Sequence, residues 1–165
     1  MDIEEIITGL GNNNYKIING NSKKHIINRL LKIYGKSDEV HYLWTSLKLE
    51  DIYHKRIRIQ ADEGYYKNLL EELIDVEVYV VIDRECIDGA EDEVVISTGS
   101  KEILRVLYTN YWDLDEIYII DVNWNYLICV NHVFDIYFVG ESLCNFFEKV
   151  NKISSINKYI IKEYD

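Results

Sequence analysis

A chain of 165 residues suits one domain, and burying roughly two-thirds of its unfolded surface would give it an adequate core. A hydrophobic fraction of 48% with 14 Tyr and 3 Trp argues against intrinsic disorder. No apolar run approaches the ~20 residues needed to cross a bilayer, and Asp2, Glu4 and Glu5 make the start acidic, the reverse of a signal peptide. The net charge of −11 makes nucleic acid a poor partner, because binding it requires neutralised phosphates. The expectation is a cytoplasmic protein with no membrane association.

Taken in order, Ile3, Ile6, Ile7 and Leu10 have the spacing of an amphipathic helix, and Gly11 is placed to end it. A polar loop or ragged strand follows around residues 15–18. Ser22 can cap a second helix with Ile26, Ile27, Leu30, Leu31 and Tyr34 as its buried stripe, closed by Gly35. Ser37 can cap a third, with Val40, Leu43, Trp44 and Leu47 inside and Asp38 and Glu39 favouring its dipole. Residues 56–60 alternate Arg and Ile, which predicts a short strand with one basic, solvated face. A helix over 62–73 carries Tyr66, Leu69, Leu70 and Leu73, and residues 76–82 form the clearest strand. After an acidic loop come a strand at 94–98 and a helix opened by Gly99 and Ser100, with Ile103, Leu104 and Leu107 inside.

Residues 116–140 read as three short strands, 116–122, 126–130 and 136–139, separated by Asn-rich turns. Breaks of that kind between β-branched and aromatic runs build a meander of hairpins. A helix burying Leu143, Phe146, Phe147 and Val150 follows, then a tail with Ile156, Ile160 and Ile161 at helical spacing, although a strand is also compatible with it. The fold class is therefore α+β: a single domain over 1–165 with a largely antiparallel sheet covered by helices. Residues 1–55 are its helical part, 56–140 its sheet-forming part, and 141–165 a closing helix and tail. The element order from 56 to 122 also matches a split β-α-β unit, an order common by chance.

Charge is unevenly distributed. Residues 1–60 carry +3, residues 61–148 carry −16 and residues 149–165 carry +2. Within the acidic middle, Asp83, Glu85, Asp88, Glu91, Asp92 and Glu93 meet only Arg84. One reading is solubility for a chain rich in Tyr and Ile. Another is an acidic surface that attracts a basic partner over long range. A third is a divalent-cation site, although these carboxylates lack the Gly and terminal Glu of an EF-hand. Trp112 and Trp124, with Asp113 and Asp115 beside the first, are the aromatic and acidic material of a protein–protein hot spot.

Recognisable chemistry is sparse. Cys86, Cys129 and Cys144 are far apart with no CxxC pair, so free thiols are the default. His25, His41, His54 and His132 show no ligand spacing, so neither a metal nor a cofactor is called for. His132 sits in a turn beside Asp135, where it could act as an acid or base, or simply face solvent. The serines form no nucleophile elbow. The run Ser97-Thr98-Gly99-Ser100-Lys101 lacks the phosphate-loop pattern, and capping by Ser100 accounts for it.

The runs YWDLDEIYII from Tyr111, WNYLIC from Trp124, and Asn131-His132 resemble a pattern in small bacterial proteins, some of them like immunity proteins of polymorphic toxin systems. That resemblance implies a small acidic α+β protein that masks a basic toxin. Three functions follow as expectations. The first is a non-enzymatic interaction protein docking a basic partner through Asp83, Glu85, Asp88, Glu91, Asp92, Glu93, Trp112, Asp113, Asp115 and Trp124. The second is an enzyme or cation-binding domain built on the 83–93 carboxylates with His132. The third is a structural subunit of a homo-oligomer.

Overall fold

The computed structural model describes residues 14–36, 42–48, 54–59, 77–83, 93–109, 116–132, 135–140 and 160–164. Their strands are β1 (Tyr15–Ile18), β2 (His54–Ile59), β3 (Val78–Asp83), β4 (Val94–Thr98), β5 (Glu116–Asp121), β6 (Leu127–Val130), β7 (Asp135–Val139) and β8 (Ile160–Tyr164). The helices are α1 (Gly20–Tyr34) and α2 (Lys101–Thr109). The strands form one sheet in the order β1-β4-β3-β5-β6-β7-β2-β8, and every neighbouring pair runs antiparallel. The α+β class, the antiparallel sheet and the meander β5-β6-β7 stand as the sequence indicates.

The strand order follows from composition. At the centre lie β3 (VYVVID) and β5 (EIYIID), whose positions are buried on both faces apart from a half-buried Tyr79. Continuous apolar strands of this kind need cover on both sides. The strand β2 (HKRIRI) carries three basic side chains and sits far from the centre, between β7 and β8. A split β-α-β unit would instead join β2 to the β3–β4 sheet, so that topology is excluded. Both chain extremities add to the sheet. The ragged segment 15–18 pairs with β4, and the tail becomes β8, a strand where helical spacing points to a helix.

Directly opposed residues of antiparallel strands share a face. On one face the row Val95, Val81, Tyr118, Cys129, Tyr137 forms the floor of the core. The α1 stripe of Ile26, Ile27, Leu30, Leu31 and Tyr34 packs in the same cluster, with Leu43 and Leu47 beside it. Burying each such side chain contributes roughly 1.5–3 kcal/mol, far more than helix propensity gives a chain of this length. The opposite face, with Val80, Ile96, Ile119, Ile128 and Phe138, is equally shielded at 0% exposure.

Local signals were mixed. Ser100 caps α2, its Oγ accepting from the Ile103 N–H at 3.5 Å. Ser22 does not cap α1, which starts earlier behind Asn19, where Gly20 takes a left-handed φ of +60°. Over 42–48 the expected third helix is a single 3-10 turn, Leu43–Ser46. Leu43 and Leu47 are buried as the spacing implies and Trp44 is half-buried, but the backbone bonds elsewhere. Lys36 N–H donates to Ser46 O at 2.7 Å and Lys48 N–H to Tyr34 O at 2.8 Å, which ties the segment to the end of α1. The expected helices over 3–10, 62–73 and 141–150 lie outside the described residues.

Candidate functional site at the acidic end of the sheet

The register gathers polar residues at one end of the sheet. Asp83 on β3 stands directly opposite Glu116 on β5. Continuing the β3–β4 register by one residue sets Glu93 beside Asp83, and continuing β5–β6 sets Asn131 beside Glu116. The same level passes on to Asp135 on β7, Arg58 on β2 and Lys162 on β8. One cross-strand row thus turns from acidic to basic. On its acidic side Glu93, Asp83 and Glu116 are 3%, 1% and 0% exposed, and Asn131 is 0% exposed.

Carboxylates are almost never buried without compensation. Glu116 shows how one is held. Its Oε1 accepts from Trp44 Nε1 at 3.1 Å and from the His132 backbone N–H at 3.5 Å, and lies 2.5 Å from His132 Nδ1. Three segments therefore converge on one oxygen: the 42–48 stretch, β5 and the β6–β7 turn. Its Oε2 is buried with no hydrogen-bond partner among the described residues. Burial drives the Glu116 carboxyl up to about 7, with the His132 contacts and then Trp44 pulling the other way. Burial also raises the Tyr118 phenol in the next row, with the charges of Cys129, Glu116 and Asp83 adding to it.

Aromatic rings close over this end. Tyr42 stacks on Trp44 with centroids 6.2 Å apart and lies 5.2 Å from the His132 ring. Trp44 meets His132 edge-on at 6.1 Å and Tyr137 at 6.2 Å. Tyr42 and Trp44 are half-buried, and the His132 side chain is 40% exposed. An imidazole anchored to a buried carboxylate is the arrangement of an acid–base pair, and rings above a carboxylate suit recognition of a cation. No group of three or more His, Cys, Asp or Glu among the described residues could hold a metal ion.

The residues expected at a partner surface divide. Asp83 and Glu93 are buried, so they anchor the acidic segment and do not form its surface: both continue the inward-facing row of strands β3 and β4. Glu85, Asp88, Glu91, Asp92, Trp112, Asp113 and Asp115 lie outside the described residues, but their segments attach at Asp83, Glu93 and Glu116, all at this end. Trp124 belongs to the opposite end, in the β5–β6 turn, about 17 Å away along β5. It folds back on the sheet, with Arg29 Cζ 4.8 Å from its ring centroid and the Tyr79 ring at 6.1 Å. It therefore shares no patch with the acidic end.

Sequence reasoning missed Glu116 and Trp44 as members of the site and joined His132 to Asp135 or to the 83–93 carboxylates instead. A hairpin count would have found the right carboxylate, since the Ile117–Val130 pairing sets residue 116 next to the turn that holds His132. Nothing local in the sequence announces Trp44, which is 72 residues from Glu116.

Among the described residues, no helix is long and apolar enough to cross a membrane. No curated protein and no solved structure matches the chain. A family model does match residues 2–151, nearly the whole length, and the chain therefore belongs to the family of unknown function DUF6756.

Proposed function

We propose that this protein is a non-enzymatic, acidic interaction module that masks a basic protein partner, in the manner of the immunity proteins of polymorphic toxin systems. The observation that carries the reading is that Asp83, Glu93 and Glu116, the described residues that border the acidic stretches of the sequence, stand side by side at one end of the sheet. Like charges concentrated at one end raise the encounter rate with a cationic surface and make binding sensitive to salt.

Where a neighbouring reading frame encodes a basic protein, the test is isothermal titration against it at 50 and 300 mM salt. Tight binding at low salt should weaken about tenfold or more at high salt, and also when Glu85, Asp88, Glu91 and Asp92 are changed together to Lys. Asp83 and Glu93 are left intact, because reversing a buried carboxylate would test folding instead. Affinity unmoved by both salt and charge reversal removes the proposal.

A second reading, an enzyme or divalent-cation site on the carboxylates of residues 83–93 with His132, draws on the 2.5 Å contact between His132 and Glu116. For the cation form, Mg²⁺, Ca²⁺, Mn²⁺ or Zn²⁺ held by the native state must raise the melting temperature by mass action. A flat response to all four ions eliminates it.

A further inference from the structure

We infer that the Tyr42–Trp44–His132 ring cluster above Glu116 is the seat for an arginine side chain of the basic partner. This rests on the docking reading and names the contact at its centre. Three features converge. The rings lie within 5.2–6.2 Å of one another at the acidic end of the sheet, and each retains some solvent exposure. Glu116, whose Oε1 bonds both Trp44 and His132, is 0% exposed and its Oε2 has no hydrogen-bond partner among the described residues. Among the described residues, the neighbours in this row are acidic or neutral: Asp83 opposite Glu116, then Glu93 and Asn131, with Tyr137 against Trp44.

A buried carboxylate with an oxygen to spare, beside a cluster of aromatic rings, suits a planar cation. Guanidinium is weakly hydrated, stacks on rings and presents paired donors to a carboxylate, whereas the compact, strongly hydrated lysine ammonium does neither well. His132 is the movable part of the cluster. Its ring is exposed, rests against Tyr42 and Trp44 and bonds Glu116 Oε1, so a rotation about χ1 that breaks this bond gives the incoming guanidinium access to the carboxylate. Trp44 keeps Oε1 fixed during the exchange.

The test uses the full chain with fluorescein-labelled octa-arginine and octa-lysine peptides, followed by fluorescence anisotropy at low salt. The wild type should bind octa-arginine roughly 5- to 10-fold more tightly than octa-lysine. Changing Tyr42→Ala should bring that ratio close to one, chiefly by weakening octa-arginine. A melting curve checks that the variant is folded. If Tyr42→Ala is destabilised, Tyr42→Leu carries the same test and should lower the ratio. Equal affinity of the wild type for the two peptides, or a ratio that survives loss of the Tyr42 ring, overturns the inference. The quadruple Lys variant at 85, 88, 91 and 92 should weaken both peptides while keeping their ratio. If it weakens neither, the docking reading itself fails, and that failure is distinct from loss of the arginine preference.

Discussion

At the scale of single residues, the most consequential group is Glu116. Its carboxyl sits near 7 in the folded protein, above the ordinary value of 4.5, because burial disfavours its charge. The unfolded chain therefore releases this proton at lower pH than the folded chain does. Glu116 contributes its full share of stability below about pH 4.5 and loses it as pH rises to about 7, an effect on the order of 1–3 kcal/mol. Glu116→Gln should flatten that part of the stability curve, read by urea denaturation at pH 4.5 and 7.5. A parallel slope in both proteins would deny Glu116 the role.

Two backbone positions carry comparable weight. Gly140 has a φ of +125°, and a Cβ there would lie 2.6 Å from Asn125 O and 2.9 Å from Tyr126 Cβ. Gly140→Ala should cost about 2 kcal/mol or more, visible as a lower urea midpoint. Trp124 is a bulky residue at φ +66°, a conformation that costs roughly 1–2 kcal/mol. The strain is held by the Asp121 carboxylate, which accepts from the Asn125 backbone at 2.8 Å and its side-chain amide at 2.9 Å. Tyr34 Oη adds a bond to Trp124 O at 3.0 Å.

At the scale of elements, α1 owes its position to its stripe, and Leu30 is its most enclosed member at 0% exposure. Leu30→Ala should destabilise by about 2–5 kcal/mol in the same titration, through lost transfer energy and the cavity left behind. That stripe was fully legible, since a period of 3.6 residues needs no partner to be read. The meander was legible for a similar reason: its Asn-rich turns are local and its strands adjacent. Long-range competition hid the rest. Leu43, Trp44 and Leu47 have helical spacing, yet the ends of α1 offer their backbone better partners. Ile160 and Ile161 also read as helical, yet the open edge of β2 recruits them into a strand.

The strand β8 lies beyond residues 2–151, the part matched by the family model, and covers an edge that would otherwise be bare. Removing residues 160–165 should leave a folded chain whose β2 edge self-associates, since uncovered edges template pairing. Light scattering at rising concentration would detect the larger species. A monomer as stable as the intact chain would show that β8 protects nothing.

For the molecule as a whole, the antiparallel order sets what happens before folding is complete. The strand β2 pairs with β7, about 80 residues later in the chain, and with β8 later still. At a synthesis rate of roughly 5–20 residues per second, β2 leaves the ribosome some 4–16 s before its first neighbour does. During that interval the nascent chain carries a strand with no sheet to join, while β3 and β4 can already zip together. Ribosome-bound chains stalled before residue 135 should therefore be nicked within 54–59 by a brief pulse of trypsin, and full-length chains held on the ribosome by an added C-terminal linker of about 30–40 residues, which lets β7 emerge, should resist. A birth-order hazard of this kind would make the cell's holding chaperones this protein's first partners.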